Sequence, residues 1–224
     1  MLFVSVLTVI VVSAAPADDV RADIVSATLQ IERKDAKGGV IVGSAVAIAQ
    51  RDGFCYALTA EHVVEKVRRM DIVAYLGDEK VRFPMEVLAR SVEPDLALVR
   101  FPVKDGVITP LPIAEKSDEL KKYPLPIITS GWEQGDKPTL TDDKALARKL
   151  LRRSDAGGAF FWQTAGTSAQ GRSGGPIASK SGQLIGICSG NQDQRGYFTH
   201  RDEIHYFLRK QSSWNWLAPK DEKP

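Results

Sequence analysis

The run Gln170-Gly171-Arg172-Ser173-Gly174-Gly175-Pro176 places a serine hydroxyl inside a glycine-dense turn that opens into a strand near Ile177. Glycines let the backbone fold tightly enough for the amides of Gly171 and Ser173 to point at one spot, and they clear the approach to the hydroxyl. Converging amides of this kind form an oxyanion hole, worth about 3 to 4 kcal/mol per donor. The same composition also makes an ordinary hairpin turn, so the motif needs partners before it means chemistry. Leu58-Thr59-Ala60-Glu61-His62-Val63-Val64 sets His62 just past an apolar strand and ahead of a short helical turn. A single histidine is usually a packing or surface residue. His200 and His205 lie on or beside a polar closing helix, however, which leaves His62 at a strand end upstream of the serine. Glu93-Pro94-Asp95-Leu96-Ala97-Leu98-Val99 puts Asp95 ahead of a buried alternating strand. An aspartate after proline is common in turns, and this position equally suits a buried carboxylate that orients a neighbour.

These residues need a scaffold, and the chain reads as short apolar strands separated by turn chemistry about every ten residues, the pattern of an all-β sandwich or barrel. Ser26 to Glu32, Val40 to Ala49, Phe54 to Thr59, Ile72 to Leu76, Met85 to Arg90 and Leu96 to Arg100 are the expected strands of a first six-stranded barrel, with Arg51-Asp52-Gly53 as a hairpin turn. A proline-rich stretch around residues 105–126 reads as a connector over the surface. Leu125 to Ser130, Gly158 to Thr164, Gly175 to Ser179, Gln183 to Cys188 and Tyr197 to Thr199 then supply a second β unit. Two helices are expected. Thr141-Asp142-Asp143 caps Lys144 to Arg153, and Thr199 caps a closing helix through Ile204, Phe207 and Leu208. The basic residues Lys144, Arg148, Lys149, Arg152 and Arg153 read as a solvated face of the first helix, since acidic residues flank them and no aromatics interleave.

Lys and Arg number 30 against 28 Asp and Glu, a net charge of +2 that does not advertise a nucleic-acid partner. Hydrophobic residues at 43% exclude a disordered chain and leave enough apolar material for a substantial core. Cys55 and Cys188 lie in apolar, strand-like runs typical of buried free thiols, although they could form one bridge. Leu2 to Val12 is almost wholly apolar and is followed by Ser13-Ala14-Ala15-Pro16-Ala17-Asp18-Asp19, small residues of the kind a signal peptidase reads. The expectation is a signal peptide over 1–17 and a secreted or periplasmic protein with no stable membrane association after cleavage. An uncleaved anchor is the competing reading, because no Lys or Arg precedes the apolar run.

The three motifs together resemble the trypsin-like (chymotrypsin-fold) serine proteases, and most closely the bacterial HtrA/Deg-like branch, as the protease domain alone. Thr-Ala-x-His, Asp-Leu-Ala-Leu and Gly-x-Ser-Gly-Gly-Pro boxes are present in the order His62, Asp95, Ser173. The resemblance implies two six-stranded antiparallel β-barrels with a short inserted helix and a C-terminal helix. Residues 18–109 would form the barrel carrying His and Asp, 110–124 the connector, 125–211 the barrel carrying Ser with its closing helix, and 212–224 a tail that docks or lies loose. It further implies a serine endopeptidase acting on polypeptide substrates with catalytic His62, Asp95 and Ser173, and an oxyanion hole of the Gly171 and Ser173 amides. The chemistry requires no cofactor and no metal. By position relative to Ser173, Thr167 falls at the base of the specificity pocket, and Ser189, Gly190 and Asn191 form the edge that pairs with extended substrate. A pocket of this kind suits a small or medium uncharged side chain.

Two departures from the family stand out. Val40-Ile41-Val42-Gly43 resembles the new terminus of a cleaved zymogen but lies too near His62 to act as one. Arg172 occupies the place where activated zymogens carry an aspartate and HtrA-like members usually carry asparagine, so the oxyanion loop is either held by different contacts or ordered by substrate or partner. A non-catalytic binding or regulatory module on the same fold is the alternative reading.

Overall fold

The strands form where β-branched and aromatic residues alternate with polar ones, and two successive sheets result. The structure, a computed structural model, describes residues 17–34, 40–65, 70–76, 79–115, 120, 122–133, 137–154 and 157–218. The expected signal segment therefore lies outside the described residues except for Ala17. Helix α1, Ala17–Ala27, comes first, where a strand beginning at Ser26 was expected. Val20, Ile24 and Ala27 recur at helical spacing and pack into the core, which is why the strand starts only at Thr28.

The first sheet contains β1 (Thr28–Lys34), β2 (Val40–Arg51), β3 (Phe54–Thr59), β4 (Asp71–Leu76), β5 (Glu79–Pro84), β6 (Glu86–Ser91) and β7 (Leu96–Pro102), in the spatial order β5-β4-β1-β2-β3-β7-β6. Asp52 and Gly53 join β2 to β3 with φ of 54° and 78°, the left-handed pair that a two-residue hairpin needs. Seven strands replace the six expected, because Glu79–Pro84 forms a strand that was not foreseen. Only Met85 separates β5 from β6, so the two edges of the sheet are halves of one bent strand and the sheet is joined on itself through the chain.

The second sheet is a closed antiparallel barrel of β8 (Leu125–Gly131), β9 (Thr139–Ser154), β10 (Gly157–Thr164), β11 (Pro176–Ser179), β12 (Leu184–Gln192) and β13 (Arg195–His200). The expected inserted helix over Lys144 to Arg153 is instead the outer part of β9, paired with β8 from Leu125↔Ala145 and with β10 through Phe160↔Leu150. Leu146 and Leu150 do share a helical face, but pairing with β10 along the segment, which continues the part of β9 held by β8, overrides the local preference. The basic side chains are put to use along the strand: the Arg148 guanidinium lies 3.6 Å from the Phe160 ring centre and pairs with Asp202.

The connector also departs from expectation. It is anchored rather than superficial, with Ile108, Leu111, Ile113 and Ala114 buried. Leu111 N–H donates to Ala47 O, and Ala114 N–H to Leu184 O, so the segment is stitched to both sheets. Helix α2 is a single turn, Glu61–Val64, and α3 spans Arg201–Lys210. Beyond α3 the chain turns back onto the first sheet, where Trp214 and Trp216 pack on Tyr56 at centroid distances of 5.5 and 5.2 Å. Arg100 and Arg51 cover the outer faces of these two indoles. Cys55 and Cys188 are both free and buried, so no bridge joins them. Burial pushes the Cys55 thiol up to about 12 and the Cys188 thiol up to about 11. Among the described residues no helix is long and apolar enough to cross a membrane.

The cap of α3 is His200 rather than Thr199, whose hydroxyl donates to Pro94 O. His200 Nδ1 accepts the Asp202 amide proton at 3.1 Å, which requires a neutral imidazole. Burial, chiefly, pushes the His200 pKa down from 6.5 to about 4. The folded state thus binds fewer protons than the unfolded chain across this window. The stability contributed by the neutral ring is complete above about pH 6.5 and is lost as pH falls toward about 4. Replacing His200→Asn substitutes a capping oxygen for the ring nitrogen and removes the titrating group. It is expected to flatten the decline in urea-unfolding free energy between those two pH values.

Candidate active site

His62 is the second residue of α2, directly after β3, and its position is fixed from across the sheet. Asp95 Oδ1 accepts the His62 backbone N–H at 3.1 Å. Its two oxygens lie 3.0 and 2.9 Å from His62 Nδ1. This arrangement assigns the proton to Nδ1 and leaves Nε2 as an acceptor facing the cleft. Asp95 closes the turn before β7 at a φ of 52°, a left-handed conformation uncommon for a residue with a side chain, and it is fully buried at 0% exposure. Ser189 Oγ donates to its Oδ2 at 2.5 Å and Arg153 Nη1 at 2.7 Å. Burial alone would raise the Asp95 pKa; the hydrogen bond and charge of His62, the Ser189 hydroxyl and the Arg153 charge outweigh it and hold the carboxyl below its ordinary range.

Ser173 sits in a loop locked to both sheets. Its carbonyl accepts from Ser44 N–H at 2.7 Å, Gly174 N–H donates to Cys188 O, and Cys188 N–H donates to Gly175 O. Ser44 Oγ donates to Gly171 O and accepts from Trp132 N–H, both at 2.8 Å. Gly171 has a φ of 92°, and a Cβ there would stand 2.7 Å from Trp132 O, so the turn excludes other residues on two grounds. Among the described residues, neither the Gly171 nor the Ser173 amide donates to a protein carbonyl, which leaves both available to a ligand. His62, Gln170, Gly171 and Ser173 line one cleft of about 160 Å³, closed on its other side by Ile41 and Val42. Ser173 and His62 thus face a common space, with no hydrogen bond between them among the described residues.

The residues expected to contact substrate divide. The Ser189 side chain is turned inward onto Asp95, where its hydroxyl meets the buried carboxylate, while its backbone stays on the edge of β12. Asn191 Oδ1 accepts from Ser168 N–H and its Nδ2 donates to Ser168 O, so this side chain ties together the two segments that follow and precede the serine loop. Gly190 lies at a bulge in β12 with a φ of 153°. Thr167 is exposed and is not among the residues lining the cleft. Among the described residues, β11 pairs with β12 only from Leu184 to Ile187, which leaves the same edge unpaired from Ser189 to Gln192.

Two arginines were not foreseen in the site. Arg153 escaped notice because a helical reading of its segment pointed it at solvent. Arg172 was recognised as unusual but without partners. It is 4% exposed, with Nη1 donating to Glu133 Oε1 (2.9 Å), Thr139 Oγ1 (3.0 Å) and Thr141 Oγ1 (3.1 Å), and Nη2 to Thr129 Oγ1 (3.0 Å). The residue preceding Ser173 is therefore a plug driven into the second barrel, and it holds the loop from below. The Arg172 hydrogen bond, with that of Thr139, holds the Glu133 carboxyl below its ordinary value of 4.5.

Removing the plug takes the guanidinium from three threonines and leaves Glu133 with the Thr139 hydroxyl alone, so Arg172→Met is expected to cost about 2 to 4 kcal/mol in urea unfolding. The Glu133 contribution is present above about pH 4.5 and disappears as pH falls through its lowered folded value. The stability gap between wild type and Glu133→Gln should accordingly close in acid.

The profile of the trypsin-like peptidase domain matches residues 43–187, a span that contains His62, Asp95 and Ser173. No curated protein matches the chain. Among solved structures it is similar to the active form of the Rv3671c protease from M. tuberculosis, with a TM-score of 0.73 and 20% identity, covering 100% of this chain and 97% of that one. The inactive form of the same protease gives a TM-score of 0.70 and 21% identity over 91% of this chain and 100% of that one. At that level of identity the likeness speaks to the chymotrypsin-like fold alone. With the family profile running from β2 to β12, across His62, Asp95 and Ser173, the chain belongs to the trypsin-like peptidase domain family.

Proposed function

We propose that this chain is a serine endopeptidase that hydrolyses peptide bonds through His62, Asp95 and Ser173 and an acyl-enzyme intermediate. The observation that carries this reading is the grip of a fully buried carboxylate on His62 Nδ1, which leaves the other ring nitrogen directed into the cleft that Ser173 lines. In this scheme His62 Nε2 removes the Ser173 hydroxyl proton as Oγ attacks the substrate carbonyl carbon. The Gly171 and Ser173 amides receive the negative charge that develops on the carbonyl oxygen. Collapse of the tetrahedral intermediate breaks the C–N bond, and the imidazolium returns its proton to the leaving amine. Water, deprotonated by the same ring, then attacks the acyl ester and releases Ser173. Asp95 keeps the ring in its Nδ1–H form and balances the transient positive charge. The unpaired edge from Ser189 to Gln192 suits an extended polypeptide laid antiparallel beside it.

A conditionally active or purely binding protein is the second reading, favoured by the absence of a hydrogen bond between Ser173 and His62 among the described residues. Resting enzymes often show this bond loose or unmade, so the observation does not displace the first reading. Labelling with a fluorophosphonate probe separates the two. Modification of Ser173 that is lost in His62→Ala, with Ser173→Ala inert toward unfolded protein substrates, is the expected result. Folded protein that takes no label would instead support the binding reading.

We further propose that the chain is exported and that its first 17 residues are removed. Cleavage after Ala17 would leave the core residues Ile24 and Ala27 of α1 in place. Sequencing the exported protein should find Asp18 at or near the amino terminus, and an intact Met1 would overturn the proposal.

A further inference from the structure

Arg153 is tied twice to the turn that carries Asp95. Its backbone N–H donates to Glu93 Oε1 at 3.1 Å, and its Nη1 donates to Asp95 Oδ2 at 2.7 Å and to Ser189 Oγ at 2.6 Å. Ser189 in turn donates to the same Oδ2, so guanidinium, hydroxyl and carboxylate close a triangle. The residue stands at the end of β9, where the hairpin to β10 reaches across from the second barrel. The turn at Asp95 is braced from its other side by Thr199 Oγ1 on Pro94 O.

The charge arrangement around the carboxylate is unusual for a group whose expected task is to support one imidazole. From α2 come His62 and the Glu61 carboxylate, the latter facing Arg90 of β6 at 3.7 Å. From β12 comes the neutral Ser189 hydroxyl, from the turn itself Glu93, and from β9 Arg153. Oδ2 is thus shared between the ring and a permanent cation. Arg153 is 34% exposed at its side chain while Asp95 is 1% exposed, so the pair sits at the lip of the cleft with its negative end dry and its positive end wet.

We propose that Arg153 is a positioning residue that couples the β9–β10 hairpin to the catalytic pair and sets the acid limit of activity by neutralising the Asp95 carboxylate. The inference rests on the reading of His62, Asp95 and Ser173 as a triad. A cation on Asp95 keeps this buried carboxylate ionised as pH falls. Without the cation the carboxylate would take up a proton at higher pH and weaken its hold on the ring. The lowered carboxyl range of Asp95, to which the Arg153 charge contributes, agrees with this balance. The partial exposure of the guanidinium keeps the effect moderate.

The test is the rate of Ser173 modification by a fluorophosphonate across pH, in wild type, Arg153→Met and Arg153→Lys, each checked for folding by urea unfolding. In Arg153→Met the acid limb is expected to move toward neutral pH by roughly one unit, with about a tenfold drop in maximal rate. Arg153→Lys, which keeps the charge but not the fork of donors, should lose rate while its limb stays near the wild-type position. A merely structural strap would lower the rate of both variants without moving either limb, and that result overturns the inference. A Met variant with wild-type rate and limb overturns it equally. Should Arg153→Met not fold, Arg153→Gln carries the same comparison, since it retains a donor without the charge. Wild-type protein that takes no label at any pH refutes the triad reading and this inference together, whereas a labelled wild type with an unmoved limb refutes this inference alone.

Discussion

A carboxylate with no solvent exposure is among the most demanding groups a small protein can carry, and Asp95 sets the terms for everything near it. Its charge is compensated by donors from three separate places: α2 after β3 in the first sheet, β12 in the second barrel, and the end of the β9–β10 hairpin. None of these segments is adjacent to Asp95 in sequence. The geometry of the dyad is therefore a property of the docked pair of sheets, and the left-handed turn at Asp95 persists because its surroundings specify it from several directions. The stitched connector and the core shared between the sheets make that docking firm.

The serine loop solves a parallel problem with the opposite charge. The loop must hold two amides outward, and something must hold its base inward. Here a buried guanidinium fills that role, satisfied by one half-exposed carboxylate and three threonine hydroxyls that line up along β8 and β9. Threonines favour strands, and their hydroxyls leave the sheet sideways, so this cradle is obtained from residues that the barrel would use in any case. Anchoring by an internal side chain needs no freshly cut terminus, in keeping with the nearness of Val40-Ile41-Val42-Gly43 to His62.

What could be read from the sequence, and what could not, follows the same physical lines. His62, Asp95 and Ser173 were legible because each stands at the junction of an apolar strand and a turn, and because the glycines around Ser173 answer a backbone requirement that local sequence displays. The Asp52-Gly53 hairpin and α3 were legible for similar local reasons. The β9 strand was not. Its Leu146 and Leu150 spacing and acidic leader satisfy the helical pattern, and only the long pairing with β10 reveals the true state. That misreading concealed Arg153, since a residue assigned to a solvated helix face has no reason to reach a buried carboxylate. Ser189 was read only as part of the edge of β12, and its hydrogen bond to Asp95 was not legible because the two residues lie 94 apart in the chain. The strand at Glu79–Pro84 was missed because its apolar residues, Val81 and Phe83, are too few to distinguish it from a loop.

The aromatic return of the tail bears on the lifetime of the molecule. Helix α3 extends from the second barrel, yet the rings that follow it are seated on Tyr56 of the first, each under an arginine. A strand that peels from one barrel pulls on the other, so the two halves unravel as a unit rather than singly. Polypeptide cleavage requires an extended stretch of chain to enter the cleft, and a folded neighbour offers one only when it opens. On the proposed reading as an endopeptidase, a body whose tail ties α3 to the first sheet offers fewer such stretches to another copy.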